Sequence, residues 1–247
     1  MRPRYLALEV LRQLKNARNL VFTFALPVVM LLIFGGVYGG SGRIDPTTHL
    51  PWLIVTTVQV SGYGAMMSAL GQAFTIVNER ALGWNRQLRI TPLSGAGYLV
   101  TKIAAALAVA AISIVLIFAT AMIALHATLP VGGWVLAGVA LWLGIVPFAL
   151  IAILVGQFAK PEFAQPLFLA VFFGMSILGG LWVPLQVLPA WVSDVAQVVP
   201  SYWLNRLGQM GALGSGSAMT PAIVLIVWTL VLGALVVWRY RRDAARA

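Results

Sequence analysis

Long apolar stretches alternate with short polar, basic ones along the whole chain. Six stretches have the length of a membrane-crossing helix, because a bilayer core about 30 Å thick takes about 20 apolar residues. They run over Leu20–Tyr38, Trp52–Val77, Ile103–Leu125, Val135–Phe158, Phe163–Val183 and Pro221–Trp238. The third holds no charged residue, and the turn Ala159-Lys160-Pro161-Glu162 separates the fourth from the fifth. Ahead of the first, helical spacing sets Leu6, Val10, Leu14 and Ala17, with Ala7 and Leu11, on one face. It sets Glu9, Arg12, Gln13, Lys15 and Asn16 on another. That pattern predicts a basic amphipathic helix lying in the membrane interface. No short apolar core with a small-residue cleavage site precedes it, so no cleavable leader is expected.

Composition agrees with this pattern. Of 247 residues, 61% are hydrophobic and 9% charged, and the mean hydropathy is +0.94. A soluble domain has about 25% charged residues, so a water-soluble globule is excluded. The net charge of +10 would by itself suggest nucleic acid. The placement of the charge argues instead for topology. Fourteen of the 16 basic residues fall before span one, between spans two and three, between spans four and five, or after span six. Only Arg43 and Arg206 fall on the other side. Positive residues stay cytoplasmic, so both termini are expected inside, and no nucleic-acid partner is expected. Arginine outnumbers lysine 13 to 3, and with abundant Ala, Gly and Val this points to a bacterial source.

Several chemistries are missing from the sequence. There is no cysteine, and His49 and His126 are the only histidines, so no metal site is expected. The acidic residues Glu9, Asp45, Glu79, Glu162, Asp194 and Asp243 all map to loops or span ends. Proton-coupled carriers need an ionisable group within the membrane, which argues against that class. No Gly-x-Ser-x-Gly or His-Glu-x-x-His motif supports a hydrolase. No phosphate-binding Gly-x-x-x-x-Gly-Lys-Ser/Thr loop is present; Gly95-Ala96-Gly97 followed by Lys102 has the wrong spacing. Uphill transport would therefore take its energy from a partner.

Polar and small residues inside the spans suggest contacts. Span two carries Thr56, Thr57, Gln59, Ser61, Tyr63, Ser68 and Gln72, which suit either a cavity wall or interhelical hydrogen bonds. Close helix contact, within one chain or between two, is offered by the pairs Gly35/Gly39, Gly36/Gly40 and Ser176/Gly180.

The segment between spans two and three is the most patterned. It contains Glu79-Arg80, Gly83, Trp84, Leu88, then Thr91-Pro92-Leu93-Ser94, Tyr98 and Lys102. Thr91-Pro92 has the form of a helix cap followed by a first-turn proline. This stretch resembles the cytoplasmic coupling segment of ABC-2 type (drug-exporter) ABC transporter permeases. Trp84 stands where Thr is commoner in that family. A second segment is similar to the same family. It runs Gly179-Gly180-Leu181-Trp182-Val183-Pro184, then Leu188-Pro189-Ala190-Trp191 and Pro200-Ser201-Tyr202. From Pro189 a short amphipathic helix is expected, with Val192, Val195 and Val199 on one face. The run from Gly208 to Ser217 is expected to be a flexible lead into span six.

The resemblance implies an all-α integral membrane fold: six spans, an interfacial helix, a coupling helix and an outer re-entrant segment. One permease domain would cover 1–247, with the interfacial helix at 1–19, the spans at 20–238 and a cytoplasmic tail at 239–247. It implies no catalysis and no cofactor bound by this chain, ATP and Mg being held by a separate ABC ATPase subunit. Two permease copies, identical or related, would stand together among the lipids of a bacterial plasma membrane. The cargo would be a hydrophobic or amphipathic antibiotic-like molecule leaving the cell; a lipid or peptide cargo is the alternative. A secondary carrier or channel and an intramembrane enzyme are the rivals of other classes. Glu79, Arg80, Gly83, Trp84, Leu88, Thr91, Pro92 and Leu93 would couple to the ATPase. Gln59, Tyr63 and Met66 of span two and Phe168, Phe172 and Met175 of span five are the candidates for the substrate pathway. Gly35, Gly36, Gly39, Gly40, Ser176 and Gly180 are those for a dimer interface.

Overall fold

The computed structural model describes residues 3–16, 20–39, 42–46, 48–82, 95–182, 185, 188–214 and 218–245. Eleven α-helices carry the described chain: α1 Pro3–Lys15, α2 Leu26–Gly39, α3 Trp52–Leu70, α4 Gln72–Ala81, α5 Gly95–Ala124, α6 Val131–Gly144, α7 Val146–Phe158, α8 Pro161–Leu178, α9 Ala190–Ala196, α10 Pro200–Leu213 and α11 Met219–Ala245. Among the described residues the only β-type pairing is an isolated bridge between Ile44 and Pro51. The chain is an all-helical, multi-pass membrane protein.

Among the described residues, five helical stretches are long and apolar enough to cross a membrane: Trp52–Ala81, Gly97–Ala124, Val131–Phe158, Pro161–Leu178 and Met219–Tyr240. The first expected span is instead a shorter apolar helix, Val21–Val37. At 1.5 Å per residue it reaches about 26 Å, slightly less than a bilayer core. Its beginning is a π-helical turn, Val21–Ala25. Pro27 explains the widening: it has no N–H to give the carbonyl of Thr23, and its ring crowds that oxygen. Ser113 of α5 donates its Oγ–H to the Thr23 carbonyl instead, at 3.2 Å. The third expected span also begins earlier than Ile103, because α5 already runs through Tyr98 and Lys102.

The α3–α4 stretch is central, with 16 of the 19 residues of α3 buried. It packs against α2, α5, α7, α8 and α10. The Val131–Phe158 stretch breaks at Ile145, where Pro147 opens α7. The apolar faces pointing outward, such as Ile123, Val131, Val135, Leu230 and Val231, are those a lipid surround would cover.

The Gly208–Ser217 expectation needs correction. Gly208 and Gly211 lie inside α10, which Pro200 opens and Gly214, at φ +63°, ends. A Cβ on Gly211 would fall 2.7 Å from the backbone nitrogen of Ala137 in α6, and one on Gly208 2.8 Å from Val58 of α3. These glycines bring α10 onto α6 and α3 rather than loosening the chain.

Candidate functional site

Polar groups gather at one end of the bundle. Lys102, near the start of α5, gives its ammonium to Glu9 Oε1 of α1 at 2.6 Å and to Glu79 Oε1 of α4 at 2.9 Å. Arg12 of α1 donates to the same Glu79 oxygen at 2.9 Å. The Tyr98 hydroxyl donates to Glu79 Oε2 at 2.6 Å. The side chains of Lys102, Glu9 and Glu79 are 1%, 4% and 5% exposed, whereas that of Arg12 is 57% exposed. Two carboxylates thus stand against two cations in a nearly closed site, and α1, α4 and α5 are tied together there. The next residue, Arg80, donates to the Gly156 carbonyl at the end of α7, at 2.7 Å. Arg239 of α11 stacks over Phe158, 4.9 Å from the ring centre. Basic residues from three expected cytoplasmic segments therefore meet at this end of the bundle.

The side of α1 that meets the bundle is centred on two polar residues, with Leu6, Val10 and Leu14 half-buried beside them. Glu9 and Gln13 are buried, while Leu8 and Leu11 are exposed. Glu9, expected on the polar face of an interfacial helix, is instead buried against the bundle. The compensation is its ion pair with Lys102, since a buried charge must be paired.

From this cluster a cavity of about 340 Å³ leads inward between α3–α4 and α8. Its polar end is formed by Arg12, Gln13, Asn16, Thr75, Asn78 and Gln165. Its apolar end is formed by Tyr63, Phe74, Phe168, Phe172, Phe173 and Trp182. Phe168 and Phe172 stack nearly parallel at 5.6 Å, with an interplanar angle of 3°. Tyr63 meets Phe172 at 5.2 Å and Trp182 at 5.8 Å. The wall is built by helical spacing: Phe168 and Phe172 are one turn apart on α8, and Tyr63, Met67 and Phe74 share one side of the α3–α4 stretch.

Three of the six expected pathway residues, Tyr63, Phe168 and Phe172, line this cavity. Gln59 lies one turn beyond Tyr63 and lines a second, polar cavity of about 270 Å³ with Asp45, Asn205, Arg206 and Gln209. Met66 is fully buried in the core and Met175 packs partly buried against it, and neither lines a cavity described here. Thr56 and Thr57 bond the carbonyls of Trp52 and Leu53 in their own helix. Residues that the sequence reading passed over, among them Phe74, Gln165, Phe173 and Trp182, complete the wall.

Of the expected coupling residues, Glu79 and Arg80 occupy the last turn of α4. Gly83, Trp84, Leu88, Thr91, Pro92 and Leu93 lie outside the described residues. Among the expected dimer residues, Gly35 faces Leu125 and Leu53 of its own chain, and Gly180 faces Leu185 and Asn205. Ser176 is fully buried and donates to the Phe172 carbonyl at 2.7 Å. These three are occupied within the chain, whereas Gly36 has open space before it. Gly39 ends α2, and Gly40 lies outside the described residues.

The family model described as "ABC-2 type transporter" matches residues 5–211. The chain is also 26% identical over 224 residues to a protein of Bacillus subtilis (strain 168) named "Putative transport permease YvfS". That match covers 91% of this chain and 90% of the relative.

Proposed function

The chain belongs to the ABC-2 type transporter family, and from that premise we propose that it is the permease subunit of an ATP-driven exporter. In this reading a separate ATPase supplies the energy. The cargo is a hydrophobic or amphipathic small molecule of antibiotic-like size, moved out across the bacterial plasma membrane. Both termini lie on the cytoplasmic side, and two permease copies form the functional unit.

The observation that carries the reading is the aromatic cavity and what stands at its mouth. Its volume falls within the range of small-molecule sites, about 300–1,000 Å³. Stacked aromatic rings favour flat apolar bodies. The ion cluster at the mouth holds Glu79, whose helix leads directly into the expected coupling segment. A push on that segment would reach α1 through Arg12 and α5 through Lys102 and Tyr98. The convergence of Arg12, Arg80, Lys102 and Arg239 at the same end supports a cytoplasmic mouth.

The test is co-purification of the permease with a lone ABC ATPase subunit, sought first in its gene neighbourhood, together with cargo-stimulated ATP hydrolysis. Trp84 and Leu88 are the apolar anchors of the proposed docking segment. Truncating such anchors commonly costs about 2 kcal/mol or more, whereas rim charges mainly tune association. Trp84→Ala and Leu88→Ala should therefore weaken binding and stimulation more than Arg86→Ala. Full binding and full stimulation in normally inserted Trp84 and Leu88 variants would overturn the coupling role.

A further inference from the structure

We infer that the cavity selects a weakly anionic amphiphile, with an aromatic or otherwise flat apolar body, over a cationic one. This rests on the reading of the cavity as the cargo site and adds the charge of the cargo to it. The described lining contains one charged residue, Arg12, and no carboxylate. The remaining polar groups at the mouth are neutral: the amides of Gln13, Asn16, Asn78 and Gln165 and the hydroxyl of Thr75.

The two carboxylates of the ion cluster are already engaged, and Glu162, exposed one turn before Gln165 on α8, is not part of the described lining. Glu79 accepts from Arg12 and Lys102 on one oxygen and from Tyr98 on the other, and Glu9 accepts from Lys102. With side chains 4–5% exposed, they are not presented to a molecule in the cavity. A cationic ligand would leave water for a cavity whose described lining offers no carboxylate, which is costly. An anionic headgroup meets the guanidinium of Arg12, which gives one N–H to Glu79 yet keeps 57% of its side chain exposed at the mouth. A guanidinium carries five N–H donors in a fork that fits carboxylates, sulfonates and phosphates. The amides beside it are neutral and bring no opposing charge. Deeper in, the parallel rings of Phe168 and Phe172 and the tilted Tyr63 and Trp182 offer faces and edges to a flat apolar body. The excess of basic residues at this end of the chain would raise the local concentration of anions at the mouth.

The probes are two molecules of the same pyrene body, pyrenebutanoate and pyrenebutylammonium. Binding is measured to the full-length permease in nanodiscs of zwitterionic lipid, with empty nanodiscs as the blank. One charge partner near a partly solvated surface is worth about tenfold, so the anion should bind about tenfold more tightly than the cation. Gln165→Glu, which adds a carboxylate of the same shape to the mouth, should narrow or reverse that preference. Phe172→Ala should weaken both probes together. Equal binding of the two probes, or a preference for the cation, with Phe172→Ala still weakening both, overturns the charge selection while leaving the cavity as the binding site. Binding of neither probe, or binding indifferent to Phe172→Ala and Gln165→Glu alike, overturns the cavity as the cargo site and the charge selection with it.

Discussion

Removing the Lys102 ammonium would leave Glu9 and Glu79 facing one another in a site where both are nearly closed off from water. Breaking a buried pair by deleting one partner typically costs about 3–5 kcal/mol. Lys102→Met should therefore lower the thermal unfolding midpoint of the detergent-purified protein sharply. Tyr98→Phe removes one hydrogen bond to the Glu79 carboxylate, worth about 1.5–3 kcal/mol, and should lower it less. Adding Glu9→Gln to Lys102→Met should recover part of the loss. An unfolding midpoint that Lys102→Met leaves unchanged would show that the cluster does not hold α1 and α4 to α5. The sequence made each member visible, but not their meeting. Glu79, Tyr98 and Lys102 stood out as a motif around a loop. Glu9 read as part of the polar stripe of an interfacial helix, because its partner lies 93 residues away. The stripe did contain a signal: Glu9 and Gln13 are one turn apart, and a polar face can turn inward when a cation waits there. The aromatic wall was half legible. Tyr63, Phe168 and Phe172 stood at helical spacing, but spacing cannot distinguish a residue that lines a cavity from one packed in the core, and Met66 is of the second kind.

At the level of elements, the seam between α6 and α10 depends on small residues. Gly211 approaches the backbone of Ala137, and a Cβ on Gly133 would fall 2.8 Å from the carbonyl oxygen of Ala212. Overpacking costs about 1–3 kcal/mol where side chains can shift, and more where only backbone stands opposite. Gly211→Val should accordingly reduce the yield of folded permease, read as monodisperse protein after detergent extraction. Gly36→Val faces open space and should leave that yield intact. Should Gly36 meet a second copy, the same variant would reduce cross-linking between copies, using cysteines introduced into the cysteine-free chain. Equal yields for Gly211→Val and wild type would contradict the packing described here. The long apolar helices were plain in the sequence, since five of six had both length and hydropathy. Two features were not. Glycine density between Gly208 and Ser217 reads as flexibility unless the opposing helix is known, although Pro200 and Gly214 did mark the ends of α10. The π-turn at Val21–Ala25 follows from Pro27, yet its compensation by Ser113 depends on a contact 90 residues distant.

On the scale of the whole molecule, one polar end, an aromatic cavity and a second polar cavity around Arg206 lie in sequence along the α3–α4 stretch. Reporter fusions should place the carboxy-terminal Ala247 inside the cell and the Gly214–Ser217 stretch outside. A carboxy-terminal reporter active outside would reverse that topology. The central claim is that ATP on a partner subunit drives export of an amphiphile held in this cavity, and it is tested most directly with inside-out membrane vesicles holding the permease and its ATPase. Pyrenebutanoate should accumulate in them only when ATP is supplied. Accumulation should persist after ionophores collapse the ion gradients, and it should fail in the Trp84→Ala and Phe172→Ala variants. Accumulation without ATP that ionophores abolish would contradict the account and identify a carrier driven by an ion gradient.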